Sequence, residues 1–248
     1  MPAHTPVALI TGSAHRLGAH TAQRLHEQGW NLVIHYRSRE EQARSLVKTM
    51  NQQRQNSAIA LQADLNLMED TTQLGQGAIA HWGRLDALVN SASVFYPNPT
   101  CEATEDDWNS IMHTNLKAPF FLLQACLPAL QKSMGSVINL IDIYSEKPLS
   151  EHPLYCASKA GLAALTRSWA KDLAPQVRVN GVSPGAILWP DGDAAVDAGY
   201  QSRILDKTPL KRTGTPEDIA RTIVFLLTEA PFITGQIISV DGGRSLNM

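Results

Sequence analysis

The chain has 248 residues, 44% hydrophobic and 18% charged, enough to bury a substantial core and ordinary for a globular α/β protein. A formal net charge of −2 gives no bulk attraction to nucleic acid or to an anionic membrane, so neither is an expected partner. The three cysteines, Cys101, Cys126 and Cys156, lack metal-ligand spacing and read as idle thiols of a reducing compartment, so no metal is expected.

In chain order, the opening "MPAHTPVALITGS" lacks the charged-then-apolar layout of a signal peptide. No apolar run approaches the ~20 residues of a membrane span, and a cytoplasmic protein is expected. Residues 7–11, "VALIT", read as a buried strand, and 16–28 as a helix. A strand at 31–36 follows, then a polar helix over about 39–54. Further strands are read at 58–64, 85–90, 135–142, 177–185 and 235–243. Apolar strands alternating with helices predict a parallel sheet covered on both faces, doubly wound by the handedness of its crossovers. No repeat or linker divides the chain, so residues 1–248 are expected to form a single-domain Rossmann-type fold. Residues 186–214 carry no strong strand signal; their Pro and Gly content suits either a lid over a site or a plain surface excursion.

The first βα turn reads Thr11-Gly12-Ser13-Ala14-His15-Arg16-Leu17-Gly18. Gly12 lets the backbone approach a phosphate, Gly18 lets the helix pack closely, and the helix N-terminus favours negative charge. After a first strand, this is a dinucleotide-binding pattern. Arg16 replaces a usual glycine; it can meet a pyrophosphate, reach a substrate, or simply be a solvated helix-start residue. The second strand ends in His35, Tyr36, Arg37 and Ser38 rather than an acidic residue. A cation and a hydroxyl there suit a 2′-phosphate, so NADPH is the expected cofactor, although Glu40 and Glu41 follow closely. Asp64, ahead of Leu65, can accept from an adenine amino group or cap a helix.

Asn115 lies in a helical stretch disturbed by Pro119, which removes one backbone N–H and predicts a kink near it. Tyr155 and Lys159 are spaced i, i+4 and share a helix face. An adjacent ammonium is expected to lower the phenol from its ordinary ~10 and make Tyr155 a proton donor near neutral pH. Asp142 stands thirteen residues before Tyr155, at the carboxyl end of the 135–142 strand. It reads as a proton-transfer group or as an aspartate capping the next turn. Phe95 and Tyr96, before Pro97, offer an aromatic face to a flat ring or pack into the core.

Thr11-Gly12-x3-Arg16-x-Gly18, Asn90-Ser91-Ala92, Asn115, Tyr155-x3-Lys159 and Ser183-Pro184-Gly185 together resemble the short-chain dehydrogenase/reductase family over nearly the whole chain. Within it, "TGSAHRLG", "HYRS", "NSASVFYPNP" and Asp142 in the family's serine position are most similar to the pteridine reductases. The chain departs from these relatives at Ser91 and Val94, and its "HYRS" tip is one residue shorter than in some of them. The resemblance implies hydride transfer from NADPH to a C=N bond of a dihydropterin, an oxidised pterin or a folate, in a homotetramer. It implies cofactor contacts at Gly12, Arg16, Leu17, Gly18, His35, Tyr36, Arg37, Ser38, Asp64, Leu65, Asn90, Ala92, Tyr155, Lys159, Pro184 and Gly185. It implies a catalytic set of Asp142, Tyr155, Lys159 and Asn115, with Lys159 on the nicotinamide ribose and Asn115 in a proton relay. The substrate would meet Arg16, Ser93, Phe95, Asp142 and Tyr155, with Trp189 and Tyr200 closing over it. A carbonyl reductase of 3-oxoacyl type and a non-catalytic NADP-binding sensor are the alternatives.

Overall fold

The structure is a computed structural model that describes residues 4–189 and 197–248. Its centre is a seven-stranded, all-parallel sheet in the order β3-β2-β1-β4-β5-β6-β7. The strands are β1 (Val7–Ile10), β2 (Asn31–Tyr36), β3 (Ala58–Gln62), β4 (Ala87–Asn90), β5 (Ser136–Leu140), β6 (Arg178–Pro184) and β7 (Ile237–Val240). β1, β2, β4 and β5 are buried along their whole length, as a sheet covered on both faces requires.

Helices α1 (Arg16–Glu27), α2 (Glu40–Gln53) and α8 (Pro216–Thr228) cover one face. Their core includes Ala22, Leu25, Met50, Ile219 and Ile223 against Ile10, Leu32 and Ile34. Helices α3 (Met68–Ala80), α5 (Ala118–Ser133) and α6 (Pro153–Asp172) cover the other through Leu74, Leu122, Cys126 and Leu162 against Leu9, Leu88 and Val137. Each fully buried Leu or Ile stabilises the fold by ~1.5–3 kcal/mol, so the two layers supply most of what opposes chain entropy. Among the described residues, no helix is long and apolar enough to cross a membrane.

The strand order reverses between β1 and β4, so the chain ends above them diverge and open a crevice at the carboxyl edge of the sheet. Three expectations are corrected. β3 stops at Gln62 rather than 64, and β5 at Leu140, which leaves Asp142 two residues beyond its strand. The 186–214 excursion contains a helix, α7 (Ala198–Lys207), started by Asp197, whose carboxylate accepts from Tyr200 N at 2.8 Å. Only Ile204 of α7 is buried, which leaves too little apolar periodicity to announce a helix. Residues 190–196 of that excursion lie outside the described residues.

Candidate active site

The crevice is a cleft of about 540 Å³ running from the first βα turn and the tip of β2 to Asp142, Tyr155 and Lys159. At its near end Gly12 has φ 63°, and a Cβ there would stand 2.9 Å from Ala92 Cα. A Cβ on Gly18 would stand 2.7 Å from the Gly12 carbonyl oxygen. Only glycine satisfies both positions, which keeps the turn flat against β4 and the start of α1 tight on the turn. Arg16 opens α1 with φ 52°, unusual for a residue with a side chain. Its guanidinium donates to the Leu188 and Trp189 carbonyls at 3.3 and 3.2 Å, so it joins the first turn to the chain leaving β6 rather than standing in solvent.

The His35 ring lies along the cleft but is buried, and both nitrogens serve the backbone. Nδ1 accepts from Gly12 N at 2.9 Å, and Nε2 donates to the Ala63 carbonyl at 3.1 Å. Burial pushes its pKa down to about 4 and keeps it neutral. His35 is therefore a strut for the phosphate-approach turn. Arg37 and Ser38 do stand exposed on the cleft, joined by Arg39, which motif reading missed. Glu40 turns away to bond Arg44 at 2.7 Å and does not line the cleft. Asp64 caps no helix; its carboxylate accepts from the Asn66 amide at 3.0 Å in a tight local turn. Tyr36, Leu65, Ala92, Ser93, Pro184 and Gly185 all line the cleft, as does Leu17. The Asn90 side chain does not; it donates to Asn139 Oδ1 at 2.8 Å beneath the cleft.

Asn115 sits in a π-helical turn, His113–Lys117, directly before α5, where Pro119 withholds its N–H. Its amide accepts from Val94 N at 2.8 Å and donates to the Val94 carbonyl at 3.0 Å and Ser158 Oγ at 3.1 Å. Asn115 thus ties the loop after β4 to α6 and is kept from the cleft lining. Asn98 makes a second tie, accepting from Leu154 N at 3.1 Å at the start of α6. Between these ties Phe95 is held edge-to-face with Tyr155, ring centroids 4.8 Å apart, and stacked on His152 at 4.7 Å. Phe95 remains 40% exposed, so it presents aromatic surface rather than filling the core.

Asp142 caps the turn that follows it and also meets Tyr155. Oδ1 accepts from Tyr144 N at 2.9 Å and starts the short turn Ile143–Ser145. Oδ2 accepts from the Tyr155 hydroxyl at 2.7 Å. Burial raises the Asp142 carboxyl above the usual range, although its hydrogen bonds and the Lys159 and Arg244 charges pull the other way. Lys159 Nζ donates to the Leu140 carbonyl at 2.8 Å, and burial lowers it to about 8. The expected lowering of Tyr155 is corrected. Burial and the adjacent Asp142 charge hold its phenol well above 10. Nζ lies 5.7 Å from the ring centroid and spends a bond on Leu140, while Asp142 faces the hydroxyl directly. Trp189 contributes its carbonyl to Arg16, and the Tyr200 ring lies under the Arg203 guanidinium at 5.7 Å. Among the described residues no His/Cys/Asp/Glu group is arranged to hold a metal.

A doubly wound sheet with a glycine turn at its switch point, and a tyrosine and lysine one helical turn apart across the cleft, defines a dinucleotide-dependent oxidoreductase. The comparisons carry this to the family. Residues 12–245 match a family model described as enoyl-(acyl carrier protein) reductase. Pteridine reductase 1 of Leishmania tarentolae is 34% identical, across 97% of this chain and 96% of that protein. The 3-oxoacyl-(acyl-carrier-protein) reductase of Staphylococcus aureus is also 34% identical, across 96% and 98%. That of Staphylococcus epidermidis is 33% identical, across 95% and 97%. The chain belongs to the short-chain dehydrogenase/reductase family, an oxidoreductase family that uses NAD(P)H.

Proposed function

We propose that the chain is an NADPH-dependent pteridine reductase that reduces dihydropterin, and by the shared ring oxidised pterin and folate, at a ring C=N bond. The residues suit the cofactor. The flat glycine turn suits a pyrophosphate, Arg37, Ser38 and Arg39 at the far tip suit a 2′-phosphate, and Lys159, which lines the cleft, suits the ribose. When bound, NADPH supplies hydride to the substrate carbon. Ser93 lines the cleft and suits the edge of a flat heteroaromatic ring; Phe95, 40% exposed beside Tyr155 but outside the cleft lining and stacked on His152, suits its face only where the ring extends past the cleft.

The observation that carries the reading is the 2.7 Å bond between Asp142 and Tyr155. Hydride addition to a C=N carbon leaves the electron pair on nitrogen, which then takes a proton. A carbonyl reductase must likewise protonate its oxygen, and a tyrosine polarised by a serine hydroxyl serves; the carboxyl of Asp142 adds a group beside Tyr155 that can itself hold and pass a proton. A homotetramer is proposed from the resemblance, and a cytoplasmic location from the N-terminal layout and the unpaired cysteines.

The near-equal identity to the 3-oxoacyl reductases favours a second reading, reduction of an acyl-carrier ketone. NADPH oxidation followed with dihydrobiopterin, dihydromonapterin, dihydrofolate and an acetoacetyl thioester separates the two. Turnover of the thioester alone refutes the pterin reading, and turnover of none points to the sensor. On a dihydropterin, Asp142→Asn is expected to cost ~10²–10⁴ in rate with NADPH binding kept. Wild-type pterin turnover in that variant would make the carboxylate structural.

A further inference from the structure

We propose that Arg244, brought in by the C-terminal turn, is a positioning residue for the Asp142–Tyr155 pair. Through the Tyr144 hydroxyl it fixes the turn that aims Asp142, and it adds a second buried cation, besides Lys159, near the pair. The inference rests on the proton-transfer role of Asp142 proposed above.

A chain of contacts connects the C-terminal turn to the Asp142–Tyr155 pair. The last helical turn, Arg244–Asn247, follows Gly243 with φ 82°. Asp241 secures it, accepting from Gly243 N at 2.9 Å and Ser245 N at 2.8 Å. The turn drives Arg244 inward until it is 7% exposed. There a guanidinium nitrogen donates to the Tyr144 hydroxyl at 2.9 Å, and the guanidinium lies 5.6 Å from the Tyr144 ring centroid. Tyr144 in turn donates its backbone N–H to Asp142 Oδ1, whose other oxygen takes the Tyr155 hydroxyl.

A buried guanidinium on a neutral hydroxyl is an expensive arrangement unless its charge is used. Arg244 Nε has no hydrogen-bond partner, so local bonding alone does not account for the burial. The Asp241 carboxylate is engaged by its own turn. Tyr144 and Asp142 are the acids that feel Arg244, both in the direction of ionisation. The groups facing Asp142 are Tyr144 from its own turn, Tyr155, Cys156 and Lys159 from α6, and Arg244, while Tyr200 of α7 faces Tyr144. Lys159 is the other cation, and its ammonium is already bonded to Leu140. Arg244 thus acts beside Lys159, through the turn that Tyr144 shares with Asp142.

The test uses the full chain and three variants: Arg244→Gln, Arg244→Lys and Tyr144→Phe. The Asp142 carboxyl is titrated by ¹³C NMR in aspartate-labelled protein, its resonance assigned by its loss in Asp142→Asn. Removing the cation should move the Asp142 midpoint upward by on the order of one pH unit. Arg244→Lys should restore most of that shift. The alkaline fall of the dihydrobiopterin rate should move upward with the titration. Tyr144→Phe should lower kcat several-fold, shift the midpoint less than Arg244→Gln, and leave NADPH binding intact. A wild-type midpoint in Arg244→Gln, or no restoration by lysine, overturns the proposal. If Arg244→Gln fails to fold, wild-type rate and titration in Tyr144→Phe overturn it instead. The titration needs no substrate, so it decides the role of Arg244 even if wild type reduces no pterin; that failure sinks the functional reading separately.

Discussion

Protonating His35 should unfasten the cofactor turn and destabilise the fold together. The ring is 2% exposed and its Nδ1 accepts from Gly12 N, so the neutral Nε2–H tautomer is the one that fits. An imidazolium would set N–H against N–H at Gly12. Burial lowers the pKa from 6.5 to about 4, so unfolded chain takes up the proton first as pH falls. The stability linked to His35 is therefore present above pH 6.5 and is lost as pH falls through about 4. The depression corresponds to ~3 kcal/mol, a large share of a typical 5–15 kcal/mol domain stability. Other acids titrate in this range, so the measurement is a difference. In His35→Gln the amide oxygen can accept from Gly12 and the amide nitrogen donate to Ala63, with no proton to gain. Urea unfolding of both proteins at pH 7, 5.5 and 4 should show wild type losing ~3 kcal/mol more than the variant. NADPH affinity should fall only as pH approaches about 4, where folded His35 takes up its proton. Parallel stability profiles would refute the assignment of His35 as a neutral strut.

Arg37→Ala should weaken NADPH by about tenfold, the low end for a charge-assisted phosphate contact at an exposed position, and leave NADH unchanged; equal loss for both cofactors by fluorescence titration would refute the 2′-phosphate role. Tyr155→Phe should abolish turnover while NADPH still binds, because it removes the hydroxyl between Asp142 and the substrate and keeps the packing. Lys159→Met should also lose turnover yet raise stability at neutral pH. Lys159 is lowered from 10.5 to about 8, so its contribution is full above pH 10.5 and lost as pH falls through 8. The variant's advantage, ~3 kcal/mol less the bond to Leu140, should shrink between pH 8 and 10 in thermal melts; a constant gap would contradict it.

The parallel sheet was legible because its strands are apolar throughout. The stretch "NLVIHY" coincides with β2 at both ends. The reading overran β3 because Ala63 and Asp64 continue its alternation, while the Asp64 side chain folds onto Asn66 and ends the pairing. Tyr155 and Lys159 were legible as a pair because four residues on a helix is one face. The disturbance at Asn115 followed from Pro119, and the structure turns it into a π-helical turn. What Asn115 does with its amide was not legible, since Val94 and Ser158 come from other segments. The same holds for the engagement of both His35 nitrogens and for the Arg244–Tyr144 contact, which spans a hundred residues. Local pattern fixes elements; polar partners brought together by the sheet have no local signal.

The three ionisable groups of the site are pushed the same way by burial, toward neutrality. Asp142 and Tyr155 rise and Lys159 falls to about 8. With a 2.7 Å bond between them, Asp142 and Tyr155 titrate as a pair, and the macroscopic steps belong to both. Ionising both would place two negative charges on adjacent oxygens in a buried site, with one ammonium turned toward Leu140. At least one proton is therefore held on the pair through the neutral range. A serine in place of Asp142 would bond Tyr155 equally well and store nothing, since its hydroxyl does not ionise near neutral pH. After one proton leaves for a substrate atom, such an enzyme must refill Tyr155 from elsewhere, whereas here Asp142, when it too is protonated, is the adjacent group that can do so. Under the proposed function that second proton serves a ring nitrogen through Tyr155. The burial that makes Asp142 costly to ionise is then the same burial that makes it useful.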